Sequence, residues 1–216
     1  MARKTKEEAL ATRARLLDAA ERRFQQHGVA GTTLQDIAQA AGLTRGAVYW
    51  HFEDKADLFN AMLDRVVLPM EDCLGPDTES ESDPEVLPAL RARLLMALTR
   101  IADSEQMQRV LEIVLFKSEY TDDMSAARER RLQLRRDFSA GLQAALAAGQ
   151  ARGEVTRAVP STVLAAGLHA LMDGLIQDWL LDGAHDLPAR GAQVLDICFA
   201  GLRTPAPPAT KARRRT

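Results

Sequence analysis

Thr32-Thr33-Leu34-Gln35-Asp36-Ile37-Ala38-Gln39-Ala40-Ala41-Gly42-Leu43-Thr44-Arg45-Gly46-Ala47-Val48-Tyr49-Trp50-His51-Phe52 reads as two short helices joined at a glycine. Thr33 stands where its hydroxyl can accept from the free amides that open the first helix, and Asp36 completes a box-like pair of caps. Gly42 supplies the turn, and Thr44 caps a second helix that reaches about His51. This spacing predicts a helix-turn-helix, whose second helix enters the major groove of DNA.

Only the first turns of such a helix reach base edges, so few side chains carry the reading. The set expected to face outward is Thr44, Arg45, Gly46, Ala47, Tyr49, Trp50 and His51. Val48 and Phe52 turn inward onto Phe24, Leu34, Ile37 and Ala38. Arg45 can donate two hydrogen bonds to a guanine edge, and Ala47 or Tyr49 can touch a thymine methyl. Thr33, Tyr49, His51 and Lys55 suit phosphates, which position the helix without reading sequence. Lys55 opens the next helix, whose free amides and positive dipole end also favour a phosphate. A competing reading makes Tyr49-Trp50-His51 an aromatic corner that only stabilises a small helical unit. The two caps, the glycine turn and Lys55 together favour DNA.

Working outward, helical periodicity dominates and no convincing strand is found. A first helix is expected from about Glu7 to Gln26, with Leu16, Leu17, Ala20 and Phe24 buried and Gly28 ending it. A fourth begins near Asp54 and turns Leu58, Met62, Val66 and Pro69 toward the next segment. The acidic, breaker-rich stretch from Asp72 to Glu85 is expected as a solvated loop. Further helices are expected at about Glu85 to Ala102, Ser104 to Glu119, Asp122 to Ala151, Pro160 to Leu181 and Pro188 to Leu202. The Pro/Ala and then Lys/Arg-rich tail from Thr204 is expected to be disordered. The fold class is all-α. Residues 1–53 form a three-helix DNA-binding unit, 54–203 a helical effector-binding and dimerisation domain opened by a connecting helix at 54–70, and 204–216 a basic tail.

A net charge of −2 excludes blanket nucleic-acid binding, so any DNA contact must use a local patch. The two cysteines, Cys73 and Cys198, form no CxxC pair, which argues against structural metal and a disulfide framework. Neither a signal core nor a bilayer-spanning apolar run is present in the sequence, so a cytoplasmic protein with no membrane partner is expected. No phosphate loop, metal spacing or Ser-His-Asp order stands out, and the four histidines are scattered. No catalytic residue, metal or cofactor is expected.

At these residues the chain resembles the tetracycline-repressor (TetR) family of bacterial regulators. The likeness covers roughly Thr12 to Leu63: Leu17-Asp18-Ala19-Ala20 with Phe24 and Gly28, then the capped helices quoted above. Its most specific part is Gly46-Ala47-Val48-Tyr49-Trp50-His51-Phe52 followed by Lys55. The resemblance implies DNA contacts from Thr33, Gln35, Thr44, Arg45, Ala47, Tyr49, Trp50, His51 and Lys55. Residues 45 to 47 vary among members, so no operator sequence is implied. A weaker likeness to efflux-pump repressors of the AcrR and TtgR type rests on three blocks. They are Arg3-Lys4-Thr5-Lys6-Glu7-Glu8-Ala9, Lys117-Ser118-Glu119-Tyr120-Thr121-Asp122-Asp123-Met124, and Met172-Asp173-Gly174-Leu175-Ile176 with Trp179-Leu180-Leu181. It implies a hydrophobic drug or phenolic effector, bound in the helical domain, that releases double-stranded operator DNA.

The helix from Pro160 to Leu181 is apolar on more than one face, which predicts contacts on two sides. Gly167, Ala170 and Gly174 form a small-residue strip, so this helix and the last are expected to pair with their copies in a homodimer. His169, Met172, Asp173 and Ile176 lie on another face. With Leu94, Ala97, Leu98, Leu111, Leu115, Phe116, Phe138 and Leu142 they are expected to line a greasy cavity with a few polar handles. Core packing competes for each of these, and His169 and Asp173 at i,i+4 can satisfy one another. Leu115 and Phe116 depart from the polar residues of the efflux-repressor pattern, which predicts a more apolar pocket. The run Arg128-Glu129-Arg130-Arg131 with Arg135-Arg136 reads as a solvated face laced with ion pairs. Two other readings stay open: a regulator of a metabolic operon, and a helical binding module that does not touch DNA.

Overall fold

The computed structural model describes residues 2–74, 85–119 and 121–204, with side chains from residue 6 onward and excluding 68–74. The side chains of Pro69 and Cys73, Tyr120, the acidic stretch 75–84 and the tail from 205 lie outside that description. Helices α1 (Ala2–His27), α2 (Leu34–Ala40), α3 (Arg45–His51) and α4 (Lys55–Leu74) come first. They are followed by α5 (Val86–Asp103), α6 (Glu105–Phe116), a 3₁₀ turn (Asp122–Met124), α7 (Ser125–Arg152), α8 (Ser161–Asp182) and α9 (Leu187–Leu202). Among the described residues there is no strand, and one isolated bridge joins Val155 to Arg203.

The N-terminal unit folds because its apolar residues recur at helical spacing and its ends are capped locally. Leu16, Leu17, Ala20 and Phe24 of α1 are buried against Ile37, Ala38, Val48 and Phe52. The turns at Gly28 and Gly42 take positive φ angles of 73° and 65°, a region that side chains with a Cβ rarely adopt. Thr33 and Asp36 form a reciprocal capping box, and the Thr44 hydroxyl accepts from the Ala47 amide.

α4 leaves this unit and packs on α1, α5, α6, α7 and the 3₁₀ turn. In the C-terminal domain α7 lies along α8, and α5 lies on α9. Gly191 of α9 permits the second approach, because Leu98 of α5 fills the space where a side chain at 191 would begin. The far end of the domain is stapled by backbone bonds from Thr156 to Leu202 at 2.8 Å and from Thr204 to Glu154 at 3.0 Å. Thr204, expected to open a disordered tail, is therefore held. The helix expected over Asp122 to Ala151 splits into the 3₁₀ turn and α7, and α4 continues through the start of the expected acidic loop.

Candidate DNA-reading face and helical-domain cavity

α3 presents its outer face as the sequence requires. Trp50 is 73% exposed and Tyr49 48%, while Val48 is buried beneath them. Thr33, Gln35, Thr44, Arg45 and Gly46 are exposed; Ala47 and His51 are half-buried. The Arg45 guanidinium donates to the Tyr49 hydroxyl at 3.0 Å and lies over its ring at 5.4 Å. One side chain thus orients the other before any ligand arrives. Trp50 meets His51 edge-on at 4.6 Å. Burial, and then the nearby Arg13, pushes the His51 imidazole below its ordinary value, which favours the neutral ring. The caps hold the start of α2 and α3, and Arg15 ties α1 to the turn by donating to the Ala41 carbonyl at 2.7 Å.

Lys55 is placed differently from the other phosphate candidates. Its ammonium donates to the Val29 carbonyl at 3.3 Å and pairs with Asp123 of the 3₁₀ turn at 3.2 Å. The Val29 amide in turn donates to the Lys117 carbonyl at 2.9 Å. The segment after α6 therefore straps the DNA-reading unit to the C-terminal domain. A second joint lies deeper. Glu21 of α1, 1% exposed, accepts from Arg65 of α4 at 2.6 Å and from Gln106 of α6 at 3.1 Å, with Arg109 at 3.6 Å. Arg65 also binds Asp18 at 2.6 Å, and the buried Glu21 charge is compensated from two helices, α4 and α6.

Between α4, α5, α6, α7 and α8 lies a cavity of about 470 Å³, a size suited to a small organic molecule. Of the residues expected there, Ala97, Leu111, Phe138, Leu142, His169, Met172, Asp173 and Ile176 line it. The other four do not. Leu94 is wholly buried in the core, Leu98 points at Gly191 of α9, Leu115 is half-buried away from the wall, and Phe116 is 38% exposed. The apolar character expected from Leu115 and Phe116 accordingly has no bearing on this cavity.

The wall also holds residues the sequence did not assign to it: Val67, Leu90, Arg93, Ile101, Arg131, Leu134, Arg135, Asp137, Gly141 and Ala145. The arginine run is the solvated, ion-paired face expected of it except where it borders the cavity. Arg136 does pair with Glu129 at 3.0 Å on the solvent side, and Arg130 reaches Asp64 of α4 at 3.2 Å. Arg131 and the half-exposed Arg135 also border the cavity, on the same stripe of α7 as Leu134, Phe138, Leu142 and Ala145. That i, i+3, i+4 spacing was present in the sequence and was masked by the density of charge around it. Asp173 is 33% exposed and takes Arg135 at 2.6 Å as its main partner, while the Nε2 of His169 lies 3.7 Å away. His169 is buried, its Nδ1 2.6 Å from the Ser139 hydroxyl and its ring edge-on to Phe138 at 4.8 Å. Burial pushes this imidazole down; Asp173 opposes the shift and Arg135 reinforces it. No group of three or more histidine, cysteine or carboxylate side chains suited to a metal occurs among the described residues. Nor is any helix among them long and apolar enough to cross a membrane.

A reading helix on a capped three-helix unit, joined by α4 to a hollow helical domain, matches known proteins along nearly the whole chain. Residues 16–62 match the model of bacterial regulatory proteins of the tetR family. Residues 85–203 match the C-terminal region of MAATS-type transcriptional repressors. The chain belongs to the TetR family. It is 42% identical over 181 residues to the HTH-type transcriptional regulator TtgR of Pseudomonas putida, covering 84% of this chain and 86% of that one. NalD, the secondary repressor of the MexAB-OprM multidrug efflux pump in Pseudomonas aeruginosa, superposes with a TM-score of 0.81 at 36% identity, over 90% of this chain and 98% of NalD. SmeT of Stenotrophomonas maltophilia, solved with triclosan, superposes with a TM-score of 0.78 at 30% identity, over 91% of this chain and 98% of SmeT. TetR-family members are transcription regulators, and all of the DNA candidates, from Thr33 to Lys55, lie within the matched residues 16–62.

Proposed function

We propose that the protein is a cytoplasmic, ligand-responsive repressor of a multidrug efflux operon, binding a palindromic operator as a dimer and released by a hydrophobic effector in the α4–α8 cavity. One observation carries this reading: a single helix touches both sites. α4 begins with Lys55 beside the reading unit and places Val67 on the cavity wall. An effector that fits only when α4 has shifted would move the reading unit with it. Weakening operator binding 100-fold requires about 2.7 kcal/mol of differential affinity between the two states. The efflux target is supported by the similarity to NalD and SmeT, which are repressors of multidrug efflux pumps.

One short helix reads too few bases for specificity, so two copies would read half-sites about one DNA turn apart or a little more. The outer face of α8 and α9 supports the pairing. Val163 is 57% exposed and Ile197 77%, and a Cβ at Gly167 or Gly174 would meet nothing within 4 Å. We assign the DNA contacts to Thr33, Gln35, Thr44, Arg45, Gly46, Ala47, Tyr49, Trp50, His51 and Lys55, with no catalytic role for any residue. The decisive experiment is a gel shift on the DNA upstream of the protein's own gene, with and without a panel of hydrophobic drugs. Retardation that a drug reverses is expected; retardation that no drug alters would remove the effector, and none at all would remove the operator.

A further inference from the structure

We propose that the Arg135–Asp173 ion pair sets the charge class of the effector, so that the cavity accepts uncharged aromatic molecules and rejects lipophilic cations of the same shape. This rests on the reading of the cavity as the effector site. An apolar chamber with one inward carboxylate ordinarily suits a cation, because a carboxylate away from bulk water demands a positive partner. Phe138, Leu142, Met172 and Ile176 supply such a chamber and Asp173 such a carboxylate; Asp137, also on the wall, is solvent-exposed and accepts from Gln133 at 2.8 Å.

Here that demand is already met from within the chain. Arg135 holds Oδ2 of Asp173 at 2.6 Å, and a cation brought to the same carboxylate would stand beside a guanidinium. Arg93 and Arg131 add two more cationic residues to the lining, with the Arg131 guanidinium donating to the Val114 carbonyl at 2.9 Å. The other oxygen, Oδ1, faces Nε2 of His169 at 3.7 Å, beyond hydrogen-bond distance. A hydroxyl or carbonyl oxygen entering there would meet an acceptor and a ring nitrogen without bringing charge. Arg135 is 52% exposed, so solvent moderates the repulsion and substitution leaves the core intact.

The test uses two probes of matched shape, 2-naphthalenemethanol and the protonated 2-naphthylmethylammonium ion, titrated calorimetrically at neutral pH into the full-length protein. The wild type is expected to bind the alcohol about tenfold more tightly than the cation. Arg135→Gln should erase or reverse that preference by strengthening the cation, and Arg135→Gln/Asp173→Asn should lose the gain. Arg135→Lys, which keeps the charge, should keep the wild-type ratio, and thermal melts verify that each variant folds. Equal affinities in the wild type, or a ratio that Arg135→Gln leaves unchanged, would overturn the assignment while leaving the cavity a binding site. Failure of both probes to bind the wild type would overturn the cavity reading, and this inference with it.

Discussion

The reading unit and the cavity are built on opposite plans. α3 is seven residues long, and its cap, its aromatic face and its guanidinium all come from one short stretch. The cavity wall draws from Val67 to Ile176 across five helices, and its polar pair joins residues 38 apart in sequence. The first is specified by near-neighbour spacing and is therefore rigid and local. The second exists only once helices have packed, so its shape follows the position of each helix, α4 included. A regulator needs that asymmetry: a reader that stays intact as a body, and a chamber whose geometry can change.

The joint between the two plans should be the most sensitive point. Arg65→Ala leaves Glu21 buried with only Gln106 and the more distant Arg109, and is expected to cost about 3 kcal/mol of stability. Urea unfolding checks this, and a midpoint equal to wild type would mean that Arg109 moves in to compensate. Arg45→Ala should act on the reader alone. It is expected to remove about 1–3 kcal/mol of discrimination between operator and unrelated DNA, with the dimer and probe binding in the cavity unchanged. Competition gel shifts measure it, and an unchanged operator preference would take Arg45 out of base readout.

The two regions also carry one depressed imidazole each, and the sign follows from that. His51 and His169 are both held below the ordinary value of 6.5 by burial. The unfolded chain therefore binds protons that the folded chain does not, and stability falls as pH drops below 6.5 and is retained above it. His169→Gln should flatten the part of that fall that belongs to the cavity, where Ser139 and Phe138 hold the ring. His51→Gln should flatten the part that belongs to the reader. Urea midpoints between pH 7.5 and 5.5 separate them; a fall untouched by either variant would assign it to other groups.

The same contrast explains what could be read from the chain. Thr33 with Asp36, Thr44 with Ala47, and the turns at Gly28 and Gly42 are contacts within a few residues, so spacing alone locates them. Eight of the cavity residues were also legible, because they sit on apolar stripes of α5 to α8. Leu94 and Leu98 lie on such a stripe too, but which side of α5 faces the chamber depends on where α9 packs, and that is set by Gly191 some 90 residues away. Arg131 and Arg135 carry charge and so read as solvent-facing; a long guanidinium beside an apolar wall turns toward a partner there, the Val114 carbonyl for Arg131 and Asp173 for Arg135.

Lys55 sits on the boundary and gives the smallest and sharpest test. As a phosphate ligand, its replacement by Ala should weaken binding to all sequences by a few-fold and reduce the salt slope by about one. In the absence of DNA its ammonium is held by Val29 and by Asp123, whose carboxyl is kept below the usual range first by the Thr121 hydroxyl and then by Lys55 itself. To reach a phosphate the lysine must leave Asp123, so the strap and the DNA compete for one charge. Asp123→Asn removes the competitor without touching the reader. It is expected to raise affinity for specific and nonspecific DNA alike at low salt, as measured by fluorescence anisotropy. If Asp123→Asn leaves affinity unchanged and Lys55→Ala leaves the salt slope unchanged, Lys55 belongs to the strap, and the reader ends at α3.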